Sequence, residues 1–402
     1  NGRSRGLGDV YKRQVETLSK FRFPLLVSLI FVLSSCSSLS WMKFWGDEEE
    51  EEGPTELYSI EEKRELVREW SSSLGNDFLY GRLIPAVYDE KVYFLNSSGY
   101  LIAIDLNSGK KVWSKDTEEI ISTGIDANYK TISYSTFDGQ LVALSHKDGK
   151  ELWRTEISSE SLSPPINTGN HIILQTVDGR VSGFNAKNGE RDWFYQAVLP
   201  SLTLRGTSWP LLEEGFIFTG FANGKVAMIY PDSGAVRLEL PITLNEGKSE
   251  LERIVDVDGR SLIANDLLIA ASYQGNIIAI NLRDGRPAWQ EEVSTVKDLT
   301  SNGNRVVVVD SKSILKAFGL ATGALIWDQE DLQLRELTSP VSISNLIVVG
   351  DLEGYVHLLN AQTGNFEGRE KVSRNPIKEI VSKGSYLLIS DSAGRVQKFS
   401  LK

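Results

Sequence analysis

The sequence predicts an all-β fold, an eight-bladed β-propeller built from four-stranded antiparallel blades. A segment first seen between Gly99 and Trp113 recurs along the chain, with a second glycine ten positions after the first and a tryptophan four positions later. The eight copies begin at Gly99, Gly139, Gly179, Gly224, Gly275, Ser313, Gly354 and Gly394. They start about 40 residues apart, which is the repeat length expected of a propeller blade.

Two positions of the repeat are apolar in every copy, and they predict strands that are buried on both faces. The third position holds Leu, Val or Ile, and the position three residues later holds Ile, Leu or Phe. Because side chains alternate between the faces of a strand, these two positions point to opposite sides. A sheet covered on both sides by copies of itself is a blade between two neighbouring blades.

Turn residues and tryptophans extend the same repeat. The third strand of a copy ends in a turn such as Asn-Ser-Gly109 or Lys-Asp-Gly149, where glycine adopts positive φ at low cost. The tryptophan falls on the outermost strand, and we interpret it as packing between blades. Leu238 and Gly368 replace it in two copies. The fifth position is Ala or Gly in five copies, which suggests a close approach of the next sheet.

An N-terminal strand is predicted to close the ring. The eighth copy starts at Gly394 and reaches the end of the sequence before its tryptophan, whereas Trp70 precedes the first copy. Residues 66–71 are therefore expected to complete the sheet formed by residues 376–402. Counting this composite blade gives eight blades over residues 63–402.

The residues before the propeller predict export and lipidation. Residues 1–14 share no pattern with the rest and are interpreted as a non-native or assembly scar. Residues 15–35 combine basic residues with a short apolar run and read as a signal peptide. They end in Leu-Ser-Ser before Cys36, which resembles a bacterial lipobox and predicts lipidation of this single cysteine. Residues 36–62 contain a run of glutamates and are predicted to form an acidic flexible tether.

Composition argues against several classes of function. The formal net charge of −11 is unfavourable for binding nucleic acid. The three histidines have no metal-ligand spacing, so we expect no metal site and no cofactor. Asp256-Val-Asp258-Gly is similar to the opening of a calcium loop, but the third acid and the closing glutamate are missing.

The repeat is interrupted at two neighbouring places, and these are where function is expected. Successive copies start 40, 40, 45, 51, 38, 41 and 40 residues apart. The extra residues fall within 198–210 and 245–259, between the outer strand of one blade and the early strands of the next. Both insertions are expected to project from one face of the disc. Ser249 and Glu252 form a plausible capping box in the second.

With its lipoprotein N-terminus, its repeat and these insertions, the chain resembles the BamB family, the propeller lipoproteins of the outer-membrane β-barrel assembly machine. The segments Leu-Thr-Leu-Arg-Gly and Leu-Glu-Arg-Ile-Val-Asp-Val-Asp narrow the resemblance from the wider family of pyrroloquinoline-quinone-type propellers. It implies docking on periplasmic domains of BamA, with Leu202, Leu204, Arg205, Asp256 and Asp258 as contact residues. The glutamate run and the two replaced tryptophans depart from the family pattern.

The resemblance also implies a place and a role. The chain is expected to be a non-catalytic scaffold, lipid-anchored at the periplasmic face of the outer membrane of a Gram-negative bacterium. There it would assist insertion of outer-membrane proteins together with the rest of the complex. Unfolded outer-membrane proteins are additional candidate partners, since the outer strand edges can accept extended chains.

Two other functions remain open from the sequence. Quinoprotein dehydrogenases share the blade repeat, but they need a calcium-held quinone, an aspartate base and commonly an adjacent-cysteine disulfide, and this chain has one cysteine. A lipid-anchored sensor or adhesion propeller would have the same fold and compartment with another partner.

Overall fold

Eight four-stranded antiparallel sheets make up a computed structural model of the chain, which describes residues 53–75, 82–244 and 248–402. These residues form 32 strands and no helix, which confirms the predicted eight-bladed propeller. In the same ranges, no helix has the length and apolar character needed to cross a bilayer. The predicted scar, the signal peptide, Cys36 and the tether up to residue 52 lie outside the described residues.

The first four blades follow one another along the chain, and each runs from the inner strand to the outer strand. Blades 1 and 2 consist of β2 Ala86–Tyr88, β3 Lys91–Leu95, β4 Tyr100–Asp105, β5 Lys111–Asp116, β6 Asp126–Asn128, β7 Thr131–Ser135, β8 Gln140–Ser145 and β9 Glu151–Glu156. Blades 3 and 4 consist of β10 Ile166–Asn167, β11 His171–Gln175, β12 Arg180–Asn185, β13 Arg191–Gln196, β14 Leu211–Glu213, β15 Phe216–Gly220, β16 Lys225–Ile229 and β17 Val236–Pro241.

The last four blades repeat this order until the ring closes. Blades 5 and 6 consist of β18 Leu262–Ala264, β19 Leu267–Ala271, β20 Asn276–Asn281, β21 Pro287–Glu292, β22 Thr300–Asn302, β23 Arg305–Val309, β24 Leu315–Gly319 and β25 Leu325–Gln329. Blades 7 and 8 consist of β26 Val341–Ile343, β27 Leu346–Gly350, β28 Tyr355–Asn360, β29 Phe366–Lys371, β30 Ile377–Lys383, β31 Tyr386–Asp391, β32 Arg395–Leu401 and β1 Leu66–Ser73.

The N-terminal strand closes the ring as predicted. β1 pairs antiparallel with β32, with Leu66 opposite Leu401 and Ser73 opposite Arg395. The sheet of blade 8 therefore has the order β1-β32-β31-β30. Strands from the two ends of the propeller are joined by backbone hydrogen bonds, so the ring cannot open without breaking this ladder.

Six tryptophans connect each of their blades to the next, which confirms their predicted packing role. Each indole N–H donates to a backbone carbonyl of the following blade, over distances of 2.8 to 3.3 Å. Each ring also lies against the turn glycine of that blade. The donor and glycine pairs are Trp70 with Gly109, Trp113 with Gly149, Trp153 with Gly189, Trp193 with Gly234, Trp289 with Gly323, and Trp327 with Gly364.

The small fifth residue of the repeat has a different role from the predicted one. Gly183 lies directly opposite Trp193 on the neighbouring strand of its own blade, and a Cβ at Gly183 would collide with the indole ring. The small residue therefore makes room for the tryptophan of the same sheet, and the expectation of close approach by the next sheet was wrong. At Gly368, a Cβ would collide with the carbonyl oxygen of Arg64, so the N-terminal chain occupies the place of a tryptophan.

The last part of the predicted flexible tether is docked on the propeller. Thr55 donates its backbone N–H to the carbonyl of Gln333 over 3.0 Å, and Leu57 packs against a buried apolar cluster. The hydroxyl of Tyr58 donates to Asp331 over 2.7 Å. For residues 55–58 the prediction of a flexible tether is therefore wrong, because backbone and side-chain contacts hold them against blades 6 and 7.

A buried polar network lies beneath this docked segment. Arg335 donates to Asp351 and, over 2.8 Å, to the carbonyl of Thr55. His357, which is fully buried, has its Nε2 2.9 Å from the same Asp351 carboxylate. Arg369 bridges from His357 Nδ1 to the carbonyl of Tyr58. Two arginines that are distant in sequence from the segment thus hold its backbone carbonyls.

Candidate functional site

The two interruptions of the repeat form loops on one face of the disc. Residues 197–210, the first insertion loop, connect β13 to β14, and residues 242–261, the second insertion loop, connect β17 to β18. Both connect an outer strand to the next inner strand, as do the shorter connections of other blades. The turn between β19 and β20 lies on the same side, since Tyr273 donates its N–H to the carbonyl of Asp256 over 2.9 Å. We call this side the insertion face.

The two insertion loops touch each other. Ser201 Oγ donates to a carboxylate oxygen of Glu250 over 3.1 Å. Gly206 is in such close contact with the Asp258 carboxylate that a Cβ at that glycine would collide with it. The loops therefore form one surface that spans blades 3, 4 and 5.

The predicted capping box stabilises the second insertion loop. Glu252 donates its backbone N–H to Ser249 Oγ over 3.3 Å, and the Ser249 N–H donates to the Glu252 carboxylate over 3.3 Å. The Lys248 N–H reaches the same carboxylate over 2.7 Å. These reciprocal bonds fix a short turn, although it does not extend into a helix.

Four of the five predicted contact residues are exposed or partly exposed, and three of these belong to the first insertion loop. Leu202 is 39% exposed, Leu204 is partly buried, and Arg205 is exposed. Arg205 is oriented by Glu160, whose Oε1 accepts bonds from Nε and Nη2 over 2.8 and 2.6 Å. Its guanidinium also lies 5.9 Å from the centre of the Phe137 ring. The first insertion loop thus presents an apolar residue beside a charged group held in a fixed direction.

The two predicted aspartates differ in burial, because Asp256 is buried and Asp258 is partly exposed. Asp256 has 0% exposure, and neither of its carboxylate oxygens has a hydrogen-bond partner among the described residues. Asp258 is partly buried against Gly206. Direct contact of Asp256 with a partner is therefore incompatible with this structure. Its backbone carbonyl instead holds the turn at Tyr273.

Burial also changes the acidity of these carboxyls. Burial and the neighbouring Asp258 raise the pKa of Asp256 to about 7. Burial raises the pKa of Asp258 to about 6, although Arg82 acts in the opposite direction. Near neutral pH the second insertion loop is therefore less negative than its sequence indicates.

An Asp256→Asn variant tests this buried carboxyl. The folded chain keeps the proton up to a pH of about 7, whereas an unfolded aspartate releases it near about 3.9. Folded stability should consequently fall as pH rises through this window. The variant is expected to lose that fall and to be about 1–3 kcal/mol more stable than wild type near pH 8. Urea unfolding across pH would measure it, with the exposed Asp284→Asn as control; parallel curves for wild type and Asp256→Asn would contradict the assignment.

Further apolar residues of the two insertion loops are exposed, and the sequence pattern did not predict them. Val198 is 85% exposed in the first insertion loop, and Leu244 and Leu251 are each 66% exposed in the second. Exposed apolar residues clustered in one region are typical of interaction surfaces. Their only sequence signal was their position within the insertions.

An ion-pair network crosses the middle of the disc beside the loops. Arg82, which precedes β2, makes two hydrogen bonds of 2.7 Å to Asp298, which precedes β22. Arg82 also pairs with Glu379 on β30, over 3.3 Å. Arg260 donates its N–H to Asp298 over 2.7 Å and stacks on Trp209 at 4.3 Å. Blades 1, 6 and 8 are thereby connected across the axis.

The described residues include no group of three or more His, Cys, Asp or Glu that could hold a metal ion.

Known proteins similar to the chain share its length as well as its repeat. The sequence model of a family described as outer membrane protein assembly factor BamB matches residues 97–329 and 294–397. A protein of that name from Shewanella oneidensis is 34% identical over 356 residues, covering 85% of this chain and 88% of the relative. The one from Escherichia coli is 31% identical over 392 residues, covering 94% and 98%.

Solved structures agree with the sequence comparison. The crystal structure of BamB from Moraxella catarrhalis superposes with a TM-score of 0.77 at 27% identity, covering 83% of this chain and 99% of that one. A quinohemoprotein alcohol dehydrogenase from Comamonas testosteroni gives a TM-score of 0.65 at 12% identity, covering 83% and 76%, and is similar in fold alone. With the family match extending over most of the propeller, the chain belongs to the family of the outer membrane protein assembly factor BamB.

Proposed function

We propose that the chain is a non-catalytic scaffold of the outer-membrane β-barrel assembly complex, which docks on periplasmic domains of BamA and assists insertion of outer-membrane proteins. The observation that carries the proposal is the joining of the two insertion loops into one surface. That surface combines exposed Leu202 with Arg205, whose direction is fixed by Glu160. Apolar residues and arginines are frequent anchors of protein interfaces.

The centre of the disc is occupied in part by a fixed ion pair. Arg82 and Asp298 are joined by paired hydrogen bonds, and both line a cavity of 320 Å³. If Asp298 were removed, Arg82 would keep only Glu379 as its carboxylate partner. Stoichiometric binding of a quinone with calcium would argue for the dehydrogenase alternative.

Membrane attachment at Cys36 is the second part of the proposal. Cys36 lies outside the described residues, so its support is the lipobox-like sequence together with membership of a family of outer membrane assembly factors. A lipid at this position would hold the propeller at the periplasmic face of the outer membrane. Incorporation of labelled fatty acid into wild type but not into Cys36→Ser is expected, and equal labelling would contradict the site.

Charge reversal at Arg205 tests the docking surface. The Arg205→Glu variant is expected to bind the periplasmic domains of BamA at least about tenfold more weakly than wild type, because an interface anchor is lost. The introduced carboxylate would also be repelled by the carboxylate of Glu160. Surface plasmon resonance with the chain in detergent would measure the affinity, and circular dichroism would check the fold.

Arg283 provides a matched control for this experiment. It is exposed and pairs with a carboxylate, Asp266, as Arg205 pairs with Glu160. It lies in the turn between β20 and β21, on the side opposite the insertion face. Arg283→Glu should keep wild-type affinity. Equal affinity for BamA in the Arg205 and Arg283 variants would contradict docking through the insertion loops.

A further inference from the structure

A cavity of 550 Å³ opens on the insertion face beside the two loops. Its apolar lining includes Leu204 from the first insertion loop, Val296 and Leu334. Its polar lining includes Tyr273 and two lysines, Lys297 and Lys378. The volume lies within the range of about 300–1,000 Å³ typical of ligand pockets.

The two lysines are not neutralised by the chain itself. In the described part of the chain, neither ammonium group forms a hydrogen bond or an ion pair. Lys297 is partly buried, and burial lowers its pKa despite the carboxylates of Glu379 and Asp298. Lys378 lies close enough to lower that pKa further. Both carboxylates are already held by Arg82.

The acidic residues on the cavity wall compensate little of the positive charge of Lys297 and Lys378. Asp310 accepts the backbone N–H groups of Lys312 and Ile314 and pairs with Lys316 over 3.6 Å. Glu336 is exposed to solvent and forms no ion pair with the described residues. Glu336 can therefore be solvated by water, whereas Lys297 is partly buried.

The insertion loops build the wall that carries Lys297. A Cβ at Gly259, near the end of the second insertion loop, would collide with the carbonyl oxygen of Lys297. The next residues are joined as well, since Arg260 donates its N–H to Asp298 over 2.7 Å. The cavity therefore adjoins both insertion loops, through Leu204 of the first and the backbone at Gly259 of the second.

From this geometry we infer that the cavity receives an acidic side chain of the polypeptide that docks on the insertion loops, with its carboxylate between Lys297 and Lys378 and its stem against Leu204. The inference rests on the proposed docking function. An incoming carboxylate supplies the missing counter-charges, and the apolar wall excludes water from the ion pair, which strengthens it.

A double substitution, Lys297→Met with Lys378→Met, tests the inference with the periplasmic domains of BamA as the probe. Methionine keeps the packing of the lysine stems and removes both charges. Binding is expected to weaken at least about tenfold and to become less sensitive to salt, because a charged contact is lost. The control is Lys187→Met with Lys110→Met, which removes the same charge from two exposed lysines in turns on the side opposite the insertion face.

The possible outcomes separate the inference from the function on which it rests. Wild-type affinity and wild-type salt dependence in the cavity variant, with its melting temperature unchanged, would overturn the inference alone. Equal losses in the cavity and control variants would overturn it too, since net charge would then explain the effect. Absence of binding by the wild-type chain would overturn the proposed docking function and this inference together.

Discussion

A Trp289→Ala variant is expected to unfold with a free energy about 3–5 kcal/mol lower than that of the wild type. The Trp289 indole is buried, donates to the carbonyl of Leu320 over 2.8 Å and stacks with Phe318 at 6.4 Å. It also covers Gly323 in the next blade. Alanine would leave a cavity between blades 5 and 6 and a carbonyl without its donor. Urea denaturation followed by circular dichroism would measure the change.

A Trp289→Phe variant separates packing from hydrogen bonding at this position. Phenylalanine keeps an aromatic ring against Gly323 but cannot donate to Leu320, so a smaller loss of about 1–2 kcal/mol is expected. An alanine variant that unfolds at the same urea concentration as wild type would show that the tryptophans do not hold the blades together.

An Asp351→Ala variant is expected to lose about 3–5 kcal/mol, because it removes a buried carboxylate bonded to both Arg335 and His357 and leaves Arg335 with Glu353 as its remaining carboxylate. Arg335 and His357 both bond to Oδ2 of Asp351. Burial alone would raise the pKa of Asp351, but these bonds bring it below its ordinary value. The stabilisation is therefore present above about pH 4 and is lost as the carboxyl is protonated at lower pH. The difference between variant and wild type should shrink in acid.

Asp310 is the matched control for Asp351. It occupies the corresponding turn of blade 6, where its Oδ1 accepts the N–H groups of Lys312 and Ile314 over 2.9 Å. Asp351 accepts those of Glu353 and Tyr355 in the same way, also over 2.9 Å. Asp310→Ala should therefore lose the turn bonds, about 1 kcal/mol each, and the ion pair with Lys316, which typically contributes less than about 1 kcal/mol. Similar losses in both variants would contradict a special contribution from the buried network.

The propeller could be predicted because its information is local and repeated. Within a copy of the repeat, the tryptophan follows the glycines at a fixed sequence spacing, so the structure predicted for one copy applies to the others. Trp70 could even be assigned to the last blade from the absence of a tryptophan after Gly394. The sequence also placed the insertion loops, since any departure from the frame must lie between blades.

What could not be predicted depends on contacts between distant residues. The glutamate-rich segment before β1 looked solvated, but Arg335 and Arg369 hold the carbonyls of Thr55 and Tyr58 from 280 and 311 residues away. Asp256 looked exposed because charged residues usually are, yet it is fully buried. Lys297 and Lys378 belong to different blades, and only the ring brings them together.

Site-specific photocrosslinking in cells is the most direct test of docking through the insertion face. A photoreactive residue at Leu202 is expected to form an adduct with BamA. The same residue at Lys187, exposed in the turn between β12 and β13 on the opposite side, should form none. Adducts from Lys187 and none from Leu202 would contradict the account, because the partner would then contact the other face of the propeller.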